Sequence, residues 1–329
     1  MPQPSYTYAS ARLSALSKRI LDSQTVRRMS DGTLADTLRT LQDMRYGGSA
    51  DINENNVEQM ITSELRDTMK EVRAISPDPG LTDLFLMQAD VQNLKMLLKA
   101  RLLGTAPSTF TDGGLYTKDQ LSAMVKEQDY RDLPAELANC MQMLEKQFLT
   151  SVDPQIISVS LDCAYLSMAL DRSRKDDVLN QYFRSLADFD NVLTYLRVRA
   201  MGGSKELLDD LLLPEGGIKK ETLTESLDLS YEYLNRLLSS SVCRDPLLGG
   251  LNAMQRTGNI GQVEKARDNY LLSLLSSHKY DTNSIYPVIG YYLAKERESR
   301  VIRLIITAKR MMLPDSVIAE RLVAMYGDR

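Results

Sequence analysis

Tryptophan is absent from this 329-residue chain, histidine occurs once, at His278, and there are only five phenylalanines. A lone histidine excludes polyhistidine metal sites and makes a poor catalytic base. The three cysteines, Cys140, Cys163 and Cys243, are odd in number, far apart, and without Cys-x-x-Cys or Cys/His spacing. Neither a disulfide framework nor a zinc site is encoded, and a reducing compartment fits this usage. The opening Met1-Pro2-Gln3-Pro4-Ser5 lacks the charged leader and apolar stretch of a signal peptide. No apolar run reaches the length needed to cross a bilayer, so any membrane connection is expected to run through a partner. The formal charge of -4 speaks against a general nucleic-acid binder.

Catalytic signatures are missing too. There is no GxxxxGK[ST] loop, and Gly202-Gly203-Ser204-Lys205 does not supply its spacing. Gly258-Asn259-Ile260-Gly261 reads as a turn between helices, with no strand before it and no full dinucleotide fingerprint. The many carboxylates form neither an EF-hand nor a Glu-x-x-His pair. No cofactor, no metal and no enzymatic activity of the chain's own are expected.

What is present is the composition of a globular helical protein: 43% hydrophobic, 26% charged, and rich in Leu, Ala and Met. Sixteen methionines fit as fillers of irregular gaps between helices. No sustained Val/Ile/Thr alternation suggests a sheet, and the fold class read from the pattern is all-α. Breaks are expected at Tyr46-Gly47-Gly48-Ser49, from Thr105 to Thr117, at Leu213-Pro214-Glu215-Gly216-Gly217, and at Gly249-Gly250. A last helix is expected from Pro314-Asp315, with Ile318, Leu322 and Met325 on one face and a stop at Gly327.

The strongest signal is internal repetition. Residues 89–104 read ADVQNLKMLLKARLLG and residues 187–202, offset by 98, read ADFDNVLTYLRVRAMG. Asp90/Asp188, Asn93/Asn191, Leu98/Leu196, Arg101/Arg199 and both end residues are identical, where chance gives about one match. A weaker third copy runs from Glu298 to Lys309, with Glu298 in the acid's place, Lys309 in the base's place and Val301 where the others have Asn. Amphipathic segments before the copies also correspond, through Glu64–Asp67, Leu161–Leu166 and Glu264–Leu271, and Gly113-Gly114-Leu115 matches Gly216-Gly217-Ile218. Three helical repeats are expected, at 1–111, 112–215 and 216–329.

Counted from Asp90, residues Asn93, Leu94, Leu97, Leu98 and Arg101 fall at steps 3, 4, 7, 8 and 11, all on one helical face. Acid and base bracket an apolar stripe and lie roughly 16 Å apart, too far to pair within one helix. If both face inward, each needs a partner on a neighbouring segment, because a buried unpaired charge is costly. These groups therefore tie adjacent helices or successive repeats together, or some of them line a cavity that receives a partner. The third copy is the most basic, with Lys295, Arg297, Arg300, Arg303, Lys309 and Arg310 against Glu296 and Glu298. That run reads as a solvated face or a docking surface for an acidic partner. No aromatics interleave with it as a nucleic-acid stripe would require.

Several of these motifs resemble the C subunits of V/A-type rotary ATPases, relatives of the eukaryotic d subunit. They are Tyr6-x-Tyr8-Ala9-x-x-Arg12-Leu13, the Asp90–Arg101 helix with its duplicate, the Pro214-Glu215-Gly216-Gly217 turn, and Tyr292-Leu293-Ala294-Lys295-Glu296-x-Glu298-x-x-x-Ile302-Arg303-Leu304-Ile305. The resemblance covers essentially the whole chain in order. It implies three similar helical-bundle repeats arranged as a pseudo-threefold funnel. It implies a non-catalytic rotor subunit of the central stalk, coupling the D and F shaft subunits to the membrane proteolipid ring. It places the chain peripherally on the cytoplasmic face of the cell membrane, with membrane contact only through the ring, in a complex that links ion transport to ATP synthesis or hydrolysis. The family carries no catalytic residues to transfer. Its polar repeat positions fall on Asp90, Asn93, Arg101, Asp188, Asn191, Arg199, Glu298 and Lys309, while Arg300, Arg303 and Arg310 are the further interface candidates. The alternative is a helical-repeat scaffold that binds an unrelated protein.

Overall fold

In a computed structural model, residues 4–48, 51–148, 153–214, 216–238 and 241–326 are described. Among them every regular element is helical and no strand occurs. The chain divides into two compact units: residues 1–86 with 272–329, and residues 87–271, the divisions falling within two long helices.

The first unit begins with α1 (Tyr6–Leu16), α2 (Ser23–Asp31), α3 (Leu34–Asp43) and α4 (Val57–Ile75). Its later segment holds α15 (Tyr286–Arg310) and α16 (Asp315–Arg321). Local chemistry starts these helices. Ser5 accepts from the Tyr8 N–H, Asp22 accepts from the Thr25 N–H, and Thr33 forms a reciprocal capping box with Asp36. The core sets Leu21, Val26, Met29, Leu41 and Ile61 from the chain's beginning against Ile302, Ile305 and Ile306 of α15. Both ends of the sequence thus build one core.

The chain passes to the second unit along α5 (Pro79–Leu103). There follow α6 (Lys118–Glu127), α7 (Ala135–Gln147), α8 (Pro154–Arg172), α9 (Asp177–Ala200), α10 (Lys205–Leu211), α11 (Lys220–Glu225), α12 (Tyr231–Leu237), α13 (Arg244–Thr257) and α14 (Gly261–Ser276). Thr117 and Gln120 form the capping box of α6, and Asp153, Asp176 and Ser204 cap α8, α9 and α10. The core of this unit gathers Phe189, Val192, Tyr195 and Leu196 of α9 with Leu208, Ile218, Leu223, Leu234, Leu247 and Val263.

Two boundaries differ from the sequence reading. Gly249-Gly250 is not a break but lies inside α13. A Cβ on Gly250 would sit 2.9 Å from the Ala266 Cβ and 3.1 Å from the Val263 Cα, so this glycine lets α13 and α14 approach closely. The last helix ends at Arg321, because Leu322 turns to an extended backbone. Met325 is buried from that extended segment instead of a helical face, and Gly327 and Ser49 lie outside the described residues.

Clamps on the long helices and the candidate interface

In α5 the Asp90 side chain is fully buried and accepts the N–H groups of Leu115, at 2.7 Å, and Tyr116, at 3.3 Å. Those residues lead into α6. Eleven residues further along, Arg101 donates to the Val125 carbonyl in the last turn of α6, at 2.6 Å, and pairs with Glu145. The long helix therefore grips a short, parallel helix at both ends, the acid on its entering N–H groups and the base on its final carbonyls. Both contacts complement the partial charges at helix termini.

The arrangement recurs on α9. Asp188, also fully buried, accepts from Gly217 and Ile218, at 2.8 and 3.0 Å, just ahead of α11. The Ser241 hydroxyl donates to its second oxygen at 2.6 Å. Arg199 donates to the Leu229 carbonyl beyond α11 at 2.6 Å, and its guanidinium lies over the Tyr231 ring. It recurs again on α15, where Glu298 accepts the Leu21 N–H at 2.7 Å ahead of α2. Lys309 donates to the carbonyls of Ser30, at 2.7 Å, and Gly32, at the end of α2. The eleven-residue separation of acid and base matches the length of the gripped segment, which explains a spacing that cannot serve a pair within one helix.

Asn93 and Asn191 add a second hold. The Asn93 amide donates to the Thr111 carbonyl at 2.9 Å and accepts its N–H at 2.8 Å. Asn191 does the same to Leu213, at 3.2 and 2.7 Å. At the third equivalent place Val301 packs in the apolar core of the first unit, so a branched hydrocarbon replaces the amide there. The glycine pairs are set by the same grip. A Cβ on Gly114 would collide with the Asp90 carboxylate, and one on Gly216 with the Arg184 carbonyl and with Asp188 Oδ1 at 2.5 Å.

The basic run on α15 is not a uniform solvated face. Lys295 and Arg297 are buried. Lys295 bonds Glu298 and Glu64, each at 2.8 Å, and Glu64 accepts the Gly47 N–H at 3.0 Å. Burial pulls the Lys295 ammonium down, but Glu298 and Glu64 outweigh it and hold it above the ordinary lysine value. Arg297 donates to the Ala324 carbonyl at 2.7 Å. Nothing local in the sequence separates these two bases from their neighbours, since Glu64 and Ala324 are remote in the chain. Arg300, Arg303 and Arg310 face outward, near Glu296 at 3.9 Å, on Glu58 at 2.7 Å and on the Glu54 carbonyl respectively.

A cleft of about 500 Å³ in the second unit is lined by Gln92, Asp162, Asp190, Thr194, Arg197 and Arg267 among others. Its charges answer one another. Arg267 bonds Asp190 at 2.6 Å and Asp268 at 3.0 Å, and Lys95 pairs with Asp162. Burial lowers the Arg267 guanidinium, but the two aspartates outweigh it and raise it above its ordinary value. Among the described residues no group of His, Cys, Asp and Glu could hold a metal, and no helix is long and apolar enough to cross a membrane.

Long helices clamped to short ones through buried charges define an all-helical protein whose repeated acids and bases serve its own fold. The family to which it belongs is shown by comparison: the chain is a member of the "ATP synthase (C/AC39) subunit" family, whose model matches residues 9–321. It is 26% identical to the C subunit of the A-type ATP synthase of Pyrococcus horikoshii over 342 aligned positions, covering 98% of this chain and 90% of that protein. The corresponding C subunit of Desulfurococcus sp. is also 26% identical, with 98% and 91% covered. That of Methanosarcina acetivorans is 22% identical, with 97% and 93% covered. The chain is thus a non-catalytic accessory subunit of a rotary ATPase, and its partners are other subunits of that complex.

Proposed function

We propose that this subunit is the collar of the central stalk, transmitting torque between the D–F shaft and the membrane proteolipid ring. On this reading the chain sits on the cytoplasmic face of the membrane, touches it only through the ring, and turns with it. Three helical repeats form a pseudo-threefold funnel, each built on one clamped long helix. The observation that carries the reading is the recurrence of the acid–base clamp on α5, α9 and α15, with contacts of 2.6–2.8 Å at each. A part that passes torque must not shear, and gripping a neighbour at both ends through buried charge-assisted bonds resists sliding. The clamp of α15 is completed by residues 21–32, so the beginning of the chain supplies the short helix of the third repeat. Ring residues, and not this chain, select the coupled ion.

Arg300, Arg303 and Arg310 provide an outward basic patch for an acidic partner, because their contacts to Glu296, Glu58 and a carbonyl are exposed and weak. The test is capture of this chain by a co-expressed D–F shaft and, separately, by the detergent-solubilised ring, together with the variant R300E/R303E/R310E. Stoichiometric capture by both, weakened by charge reversal in a folded variant, supports the reading. Capture by neither overturns the collar reading and leaves only membership of the complex.

A further inference from the structure

Between the end of α1 and the beginning of α15, within the first unit, lies a cleft of about 260 Å³. Leu13, Ile20 and Pro287 form its apolar wall. Its polar lining is Ser14, Ser17, Lys18, Lys279, Tyr280 and Tyr326, and among the described residues no acid lines it. The cleft of the second unit differs, since Asp162 and Asp190 stand there among the bases. Asp281, in the loop ahead of α15, accepts the Asn283 N–H at 2.8 Å and is not part of the wall. Lys18 makes no ion pair among the described residues. The Lys279 ammonium is held 5.0 Å from the centre of the Tyr280 ring, which is itself 81% exposed.

Two further features point to an occupant. α15 opens here without a capping side chain and with no acid in its first turn, so its own side chains leave the positive N-terminal end uncompensated. Tyr326 is only 8% exposed and lines the same cleft, yet its hydroxyl makes no hydrogen bond to any described residue. Gly290 makes room for it, because a Cβ there would sit 2.7 Å from the phenol oxygen. Burial and, to a lesser degree, Tyr280 hold the phenol above the ordinary tyrosine value, so the hydroxyl keeps its proton and can donate. A phenol placed this deep without a protein acceptor is costly unless something in the cleft meets it.

We propose that this cleft binds the phosphate monoester of a small organic molecule. Lys18, Lys279 and the Tyr326 hydroxyl receive the phosphate at the start of α15, and the organic body lies along Leu13, Ile20 and Tyr280. Two ammoniums, a phenol and an uncapped helix end present more donors than the two oxygens of a carboxylate can use, whereas a phosphate monoester offers three terminal oxygens. The apolar wall and the exposed ring favour an ester over the bare ion, which has nothing to lay against them. The site stands whether or not the chain serves as a collar.

The test compares the full chain with K18Q/K279Q, with Y326F and with the control K126Q, an exposed lysine on α6. The probes are glycerol 3-phosphate and inorganic phosphate, followed by equilibrium dialysis, and vesicles containing phosphatidic acid, with phosphatidylcholine vesicles as the blank. Expected are saturable binding of glycerol 3-phosphate at one site per chain, a loss of at least about tenfold in K18Q/K279Q, and a loss of about tenfold in Y326F. K126Q should bind as the parent does. Y326F should melt no lower than the parent, since no bond within the chain is removed. Binding to phosphatidic acid vesicles alone, lost in the same variants, supports the site and makes a lipid the source of the phosphate. Inorganic phosphate held as tightly as the ester overturns the role of the apolar wall and with it the ester assignment. Binding that both variants retain, or no binding of any probe, overturns the proposal. A Y326F that melts well below the parent shows that the hydroxyl has an acceptor within the chain and overturns its part in the site.

Discussion

Asp188 takes three hydrogen bonds, and Asp188→Ala measures what a clamp contributes. Its carboxylate accepts the N–H groups of Gly217 and Ile218 and the hydroxyl of Ser241, and no part of it reaches solvent. Truncation leaves three donors without an acceptor, at about 1–3 kcal/mol for each that stays dry. Two effects reduce the sum. The carboxylate's own desolvation penalty disappears, and the vacated volume admits a water that can accept from one or two of the donors. We expect a net loss of about 2–4 kcal/mol, a large part of the stability of any one compact unit. Asp188→Asn retains one acceptor oxygen for the two N–H groups and presents an NH₂ to Ser241, so about 1 kcal/mol is expected there. Hydrogen exchange followed by mass spectrometry suits a chain of two units better than a single unfolding midpoint. In D188A the amides of Gly217 and Ile218 should exchange about 30- to 1000-fold faster, the factor corresponding to that free energy. Amides of α2, gripped instead by Glu298 and Lys309, should change little. Exchange within threefold of the parent at Gly217 and Ile218 would refute the claim that the acid holds this loop.

Adjacent glycines in α13 should respond in opposite directions. Gly249→Ala meets no atom within 4 Å and should stabilise by about 0.5–1 kcal/mol in urea unfolding, whereas Gly250→Ala, pressed on Ala266 and Val263, should destabilise; equal signs would contradict the close approach of α13 and α14. Burial pushes the thiols of Cys140 and Cys243 up to about 11 and about 12. Alkylation at pH 8 should therefore spare both until urea is added and label the half-buried Cys163 first; rapid native labelling of Cys243 would contradict its placement beside Ser241. Asp22 is held below the ordinary aspartate value by hydrogen bonds from Thr25. Its contribution is thus complete above that value and is lost as pH falls through the depressed one. Asp22→Ala should cost about 1 kcal/mol at pH 7, and the gap from the parent should narrow on acidification; a gap that widens would refute the capping assignment.

The sequence pattern revealed the repeated helix because its determinants are local: acid, amide, apolar stripe and base all fall on one face of a single element. The same pattern located the Gly113-Gly114 and Gly216-Gly217 turns. It could not tell which partners the charges take, since Asp90 and Leu115 meet across a loop and Glu298 and Leu21 meet across almost the whole chain. Lys295 and Arg297 look like Arg300 and Arg303 in sequence and are buried only because Glu64 and Ala324 arrive to receive them. Gly249-Gly250 has the composition of a turn, yet the second glycine serves helix packing, which no single-segment pattern reports. The early end of α16 at Leu322 has the same origin, because Met325 enters the core from an extended backbone that a helical period does not anticipate.

Coupling of rotation between the soluble and membrane parts of the complex is tested most directly by ion uptake. Vesicles carrying the purified complex, assembled with and without this chain, are supplied with ATP and the ion gradient is followed. Complexes lacking the chain should still hydrolyse ATP but build no gradient, and adding the purified chain should restore uptake in proportion to its binding. Undiminished ATP-driven uptake by complexes shown to lack the chain would contradict the coupling role.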